Sequence, residues 1–224
     1  MAMAVREQVN GVRVGVRYAA ADHASNLGGD WYLTTPLPGG DVMLAVGDVM
    51  GHGRVAAATM VQLRAAMTRL ALAGDAPGAI LAALNRMLCR RTTTTLATAV
   101  CGRFRPANHT LTWSRAGHLP ILRANAAGVS ALAQPAGMAL GVDPAARYAT
   151  ARAVVDAGDL LLMYTDGVVE QRDQAIDQGV QHLADDVRLA IRASAPGERL
   201  RTALDLAHRG NPDDDACLLA AEPV

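Results

Sequence analysis

The chain is poor in aromatics and cysteines, carries no net charge and has no long apolar run, and each shortage excludes a class of function. Phe, Tyr and Trp make up 3% of 224 residues. Aromatic platforms for stacking single-stranded nucleic acid are therefore missing, and the core must be packed from Leu, Val, Ala and Met. Lys+Arg and Asp+Glu both number 21, giving a formal charge of zero, and no basic block is present to neutralise a phosphate backbone, so no nucleic-acid partner is expected. Cys89, Cys101 and Cys217 are an odd number without C-x-x-C spacing, the pattern of reduced thiols rather than of a disulfide framework or a zinc site. The apolar runs are short, the N-terminus lacks a continuous h-region, and "VAAATMVQLRAAM" is interrupted by Arg64. Neither a signal peptide nor a membrane span is supported, and a soluble cytoplasmic protein without a membrane partner is predicted. The length suits one substantial core, read here as a single domain over residues 1–224.

What is present is an ordered alternation of strand and helix signals. "VRVGVRYAA", "WYLTTPL" and "DVMLAVGDV" read as strands from Gly11 to Val49. The run Val42–Val46, apolar on both faces, reads as a buried central strand. Met60, Leu63, Met67 and Leu70 then repeat at helical spacing, and after "AGDAPG" so do Ile80, Leu81, Leu84, Met87 and Leu88, with Pro77 near the start. Strand-like pieces return from Thr94 to Val155, and "DLLLMYTDG" gives another wholly apolar strand. Val180, Leu183, Val187 and Ile191 mark a third helix, "RLRTALDLAHRG" a fourth closed by Gly210, and a last strand follows "PDDD". This order predicts an α+β fold of largely antiparallel sheets flanked by helix pairs.

Three of the most apolar strands carry an acid at one end: Asp48 after "VMLAV", Asp166 after "LLLMYT", and Asp213, Asp214 and Asp215 before "ACLLAA". If the last strand runs antiparallel to the first two as their neighbour, these ends converge, and Asp30 in "GGDWY" joins them by the same geometry. Taken singly, each acid reads first as a turn residue. Converging carboxylates repel and are costly to desolvate unless cations compensate, so the set of four reads as a metal site. Oxygen-only ligation selects Mg²⁺ or Mn²⁺ over zinc or copper. Two such ions about 3.5–4 Å apart share a water and neutralise a phosphoryl group, which implies phosphate ester hydrolysis.

These residues resemble the metal-dependent protein phosphatases of the PPM (type 2C) class, in particular their bacterial SpoIIE-like branch. "GGDWY", "GDVMGHG", "RAGHLPIL", "GMALGV", "GDLLLMYTDGVVE" and "DDDACLL" match that branch in order and spacing from about Gly11 to Leu219. The resemblance implies an α-β-β-α sandwich with a binuclear Mn²⁺ or Mg²⁺ site. Asp30 and Asp48 would be catalytic acids serving both ions, Val49 would offer its backbone carbonyl, and Asp166 and Asp214 would complete the ligand set. Asp214 is preferred to Asp215 because "DDAC" resembles the family's closing acid pair, which leaves Asp213 outside. It further implies serine/threonine phosphoprotein phosphatase activity on a phosphorylated anti-sigma-factor antagonist in bacterial stress or developmental signalling, and leaves room for a homodimer and for an upstream sensor domain.

The chain also departs from the family. Type 2C enzymes place a histidine two residues after the acid matching Asp48, where this sequence has Met50, and His52 stands where the SpoIIE-like branch often has lysine. The phosphate-binding arginine has no clear counterpart, since Arg13 and Arg17 fall in a strand. The glycines of "AVGDVMGHGR" read as room for backbone and phosphate to approach the metals, and His118 in "AGHLP" reads as a loop-holding residue. The stretch lacks the ending of a P-loop, and no G-x-S-x-G occurs around Ser114 or elsewhere. Two other readings keep the fold: a regulated binding module of low activity, and a hydrolase of small phosphoesters.

Overall fold

The computed structural model describes residues 3–19, 28–92, 94–171, 174–206 and 214–224. In chain order the elements are β1 (Met3–Val9), β2 (Val12–Ala19), β3 (Trp31–Pro36), β4 (Val42–Val49), α1 (Arg54–Leu72), α2 (Pro77–Cys89), β5 (Ala97–Arg105) and β6 (Thr110–Ala116). They continue with β7 (Leu122–Asn125), β8 (Gly128–Ala131), β9 (Thr150–Val154), β10 (Leu160–Tyr164), α3 (Ile176–Ala193), α4 (Arg199–Asp205) and β11 (Ala216–Pro223). The strands form two sheets, ordered β1-β2-β11-β10-β7-β8 and β3-β4-β5-β6-β9. Every pair of neighbouring strands is antiparallel, and each sheet carries its own helix pair, as the α+β expectation requires. The chain divides into two compact units that follow the sheets: one from the described residues of Leu27–His118 and Ala133–Val155, the other from those of Met1–Asn26, Leu119–Leu132 and Asp156–Val224.

In the five-stranded unit, β4 lies between β3 and β5, and Val42, Met43, Leu44, Ala45 and Val46 are all fully buried. The continuous apolar run is thus explained by a strand covered on both faces. Helices α1 and α2 supply Leu63, Met67, Ile80, Leu81 and Leu84, which pack with Met43, Ala45 and Val49 in one cluster. Burial of each such side chain contributes about 1.5–3 kcal/mol. Pro77 occupies the first turn of α2, where the proton it lacks has no acceptor in any case. Asn85, wholly buried on α2, donates from Nδ2 to the Asp143 carbonyl (2.7 Å) and accepts the Gly141 N–H at Oδ1 (2.8 Å). It ties the "GMALGV" loop to the helix.

In the six-stranded unit, all five residues of β10 are buried between β7 and β11. Leu183, Ala184, Val187 and Ile191 of α3 and Leu200, Ala203 and Leu204 of α4 share a cluster with Leu160, Leu162 and Tyr164. Gly15 stands in the middle of β2 because a Cβ there would lie 2.5 Å from a Leu204 methyl and 2.6 Å from a Leu200 methyl.

The structure differs from the sequence reading in three places. A strand, β1, precedes the first one read; Asn10 (φ 44°) and Gly11 (φ 76°) join it to β2 in a two-residue hairpin with Val9 opposite Val12. A short strand, β8, returns along β7. The last strand, β11, pairs with β10 and β2 and is not a neighbour of β4, which belongs to the other sheet. Gly210, expected to close the fourth helix, lies outside the described residues. Among the described residues no helix is long and apolar enough to cross a membrane.

Candidate active site

Asp30 and Asp48 are positioned by the β3–β4 pair. Trp31 stands opposite Gly47, so the start of β3 meets the end of β4, with Asp30 one residue before Trp31 and Asp48 one residue after Gly47. Gly29 makes that approach tight. The Val49 N–H donates to its carbonyl (3.2 Å). A Cβ on Gly29 would collide with the Val49 carbonyl oxygen and come within 3.0 Å of Asp48 Oδ1. Only glycine lets the chain before Asp30 lie against these two oxygens. Asp30 is 3% exposed, a depth at which a carboxylate needs hydrogen bonds or a cation.

The glycines that follow differ in what surrounds them. A Cβ on Gly47 would sit 2.5 Å from two ring carbons of Trp31, so Gly47 makes room for the buried indole and not for phosphate. Gly51 (φ 92°) and Gly53 (φ 83°) take left-handed conformations in the turn into α1 and face open space. Met50 and His52, on the same turn, are exposed.

Asp166 and Asp214 are positioned by the β10–β11 pair, in which Tyr164 stands opposite Leu218. Gly167 is again the enabling residue, because any Cβ there would strike the Asp215 carbonyl. Asp166 opens a 3-10 turn, Asp166–Val168, whose carbonyl accepts the N–H groups of Val169 (2.8 Å) and Glu170 (2.6 Å). That turn brings Glu170 back over Asp166. Carboxylate oxygens of Asp166, Glu170 and Asp214 all lie within 4.8 Å of one another. Glu170 was not among the residues picked from the sequence. Its signal was there in "TDGVVE", since an acid four residues after Asp166 shares its face once the chain turns helically.

Asp166 and Asp214 are each oriented by the backbone of the following residue. Asp166 Oδ1 accepts the Gly167 N–H (3.1 Å) and Asp214 Oδ1 accepts the Asp215 N–H (2.8 Å). A carboxylate held by one N–H retains acceptor capacity for a cation. Burial pushes the Asp214 carboxyl above its usual range; the Asp215 N–H works against this, and the charges of Asp166, Asp215 and Glu170 add to it. A group made harder to ionise by burial and like charges is one that a divalent cation stabilises. Three carboxylates at this spacing, with no nitrogen or sulfur donor, suit a hard divalent ion. Asp213, excluded on sequence grounds, lies outside the described residues.

The remaining candidates have structural explanations. His118 is 3% exposed, with Nδ1 2.7 Å from Thr98 Oγ1 and its carbonyl accepting from Arg115 (2.6 Å), the loop-holding role expected of it. Arg13 pairs with Glu222 (2.8 Å) and Arg17 with Asp205 (3.1 Å) from within β2. Ser114 is buried against the Thr150 hydroxyl (2.9 Å).

Comparison with known proteins agrees with this architecture. A structure of the RsbU and RsbW domains of a Mycobacterium tuberculosis protein shares 30% identity with a TM-score of 0.84, covering 96% of this chain and 60% of that one. The chain thus spans about three fifths of that relative. RsbX in complex with magnesium is 16% identical with a TM-score of 0.76, over 99% of this chain and 100% of that one. The PP2C phosphatase domain and regulatory fragment of SpoIIE from Bacillus subtilis is 17% identical, again with a TM-score of 0.76, over 99% and 71% of the two chains. The family model described as "Stage II sporulation protein E (SpoIIE)" matches residues 38–223. That match spans β4, β10, β11 and the acids at their ends, and by it the chain belongs to the SpoIIE family.

Proposed function

We propose that this chain hydrolyses phosphoserine or phosphothreonine on a protein partner, and that the partner is an anti-sigma-factor antagonist. Asp30, Asp48, Asp166 and Asp214, with the Val49 carbonyl, are the proposed ligands of two Mn²⁺ or Mg²⁺ ions. When bound, such ions would neutralise a phosphoryl group and lower the pKa of a water molecule, the chemistry of direct hydrolysis without a covalent phosphoenzyme. The protein's part is positional. The glycines at 29 and 167 let pairs of strand ends close to within carboxylate reach, and backbone N–H groups fix the rotamers of Asp166 and Asp214. Pre-set acids of this kind avoid reorganisation when a dianionic phosphate monoester arrives.

The observation that carries the reading is the gathering of the Asp166, Glu170 and Asp214 carboxylates within 4.8 Å of one another beside β10 and β11, in a chain of the SpoIIE family. The likeness to an RsbU domain supports the choice of partner. The test is release of phosphate from a phosphorylated anti-sigma-factor antagonist and from a chromogenic phosphate ester, with Mn²⁺, with chelator and with Asp48→Asn. Activity in the wild-type protein that needs the ion and drops at least about 100-fold in the variant is expected, the scale of losing a principal electrostatic group. Equal rates in chelator or in Asp48→Asn refute it. Turnover of the small ester with an untouched phosphoprotein refutes the partner and leaves the chemistry.

A further inference from the structure

A second polar cavity lies far from these acids, inside the six-stranded unit. It has a volume of about 240 Å³, and its walls include Arg188 and Arg192 of α3, Ser194, Arg199 at the start of α4, and the apolar side chains of Val129 and Ile191. It opens beside the β7–β8 turn. Leu160 pairs with Ala124 next to that turn, whereas Asp166 follows the other end of β10. The length of β10, about 17 Å for five residues, separates the two ends.

Three arginines line it, and Asp185 holds one of them, Arg188, at 2.8 Å. Arg192 stands in the last turn of α3, where a cation offsets the helix dipole, and this explains Arg192 alone. Arg199 needs another account. Among the described residues six arginines have a buried Nε without an acceptor: Arg13, Arg17, Arg103, Arg115, Arg123 and Arg199. The first five are held by an acid or a carbonyl through their terminal nitrogens. Arg199 has no such partner. A buried Nε–H without an acceptor, on a half-buried arginine that shares a cavity with two others, is an arrangement that an anion in that space would satisfy.

We propose that this cavity is a binding site for a small phosphate-bearing ligand, separate from the catalytic acids. Guanidinium groups present paired donors that match the oxygens of a phosphate, and the chain has no lysine, so all 21 of its basic residues are arginines. Ser194 Oγ lies 2.8 Å from both the Ala190 carbonyl and Thr202 Oγ1, so its single proton is already engaged and it is part of the wall rather than the lead contact. Val129 and Ile191 give an apolar side on which the rest of a phosphate ester rests. Free phosphate and a phosphate ester share this chemistry.

The test is amide NMR on the full chain in Mg²⁺ buffer, titrated with inorganic phosphate and, separately, with ADP. Saturable shifts are expected at residues 125–129 and 188–199, as a set distinct from any at residues 28–30, 48–52, 166–170 and 214–215. In Arg192→Gln/Arg199→Gln the first set weakens by at least about tenfold in affinity, the scale of losing two charge-assisted contacts, while the second is unchanged. Arg192→Glu alone, at an exposed position, gives the same direction should the double variant fold poorly. Tighter binding of ADP than of phosphate identifies an ester as the ligand, and equal binding identifies the free anion. Shifts confined to the catalytic acids, or titrations identical in wild type and Arg192→Glu, overturn the proposal.

Discussion

Replacing Asp214 by asparagine separates a cation site from an ordinary acidic turn. The carboxylate oxygens of Asp166, Glu170 and Asp214 lie within 4.8 Å of one another. At that distance each pair repels by about 0.9 kcal/mol in water-like surroundings and by about 3.5 kcal/mol at an effective dielectric of ~20. Because Glu170 is exposed and the other two partly so, the lower end applies. Asparagine removes two of the three repulsions and keeps the oxygen that accepts the Asp215 N–H. The metal-free variant is therefore expected to be more stable than wild type by about 1–2 kcal/mol, or roughly 2–8 °C in Tm for a chain of this size. With ion the order reverses. An ion at about 100 times its Kd stabilises wild type by roughly 2.7 kcal/mol, and the variant, short of one ligand, gains much less. Thermal melts in chelator and across a Mn²⁺ series read both effects. A variant that melts below wild type in chelator, or that gains as much from Mn²⁺, refutes the reasoning.

Three further outcomes follow from the same structure. The Asp214 carboxyl is raised by burial in the folded state, so below that raised pKa and above the unfolded value the native protein binds more protons, and this contribution to stability grows as pH falls; melts in chelator should show the gap between wild type and Asp214→Asn closing on acidification, and a gap that widens contradicts the sign. Asn85→Ala leaves the Gly141 N–H and the Asp143 carbonyl without their buried partner, a loss of roughly 1–3 kcal/mol per group in urea denaturation; a loss below about 0.5 kcal/mol contradicts it. Cys101 and Cys217 are buried, and burial pushes the Cys101 thiol up to about 12. Alkylation of the native protein at pH 8, read by mass spectrometry, should therefore modify Cys89 first, with the other two reacting only after denaturation.

Much of the fold was legible because burial leaves a periodic trace. The unbroken run Val42–Val46 announced a strand covered on both faces, and the helical stripe Ile80, Leu81, Leu84 and Leu88 is the face α2 buries. The β1–β2 hairpin was equally legible, since Asn10-Gly11 supplies the two positive φ angles such a turn needs, yet β1 itself, "MAVREQV", lacks a regular apolar alternation that would have drawn attention to it. Glu170 was visible as an acid one helical turn from Asp166, but only the 3-10 turn after β10 turns that spacing into proximity.

The sequence alone determined that acids stand at the ends of the most apolar strands and that glycines flank them, because both depend on local chemistry. It did not determine which strand ends meet. β11 lies beside β10 and β2 and not beside β4, and such pairing depends on register and sheet order between segments tens of residues apart, to which period-2 alternation is blind. The glycines show the same division. Gly29, Gly47, Gly53 and Gly167 look alike in the sequence; the tertiary structure gives Gly47 to the indole of Trp31, Gly53 to a left-handed turn, and Gly29 and Gly167 to the close approach of backbone beside Asp30 and Asp166.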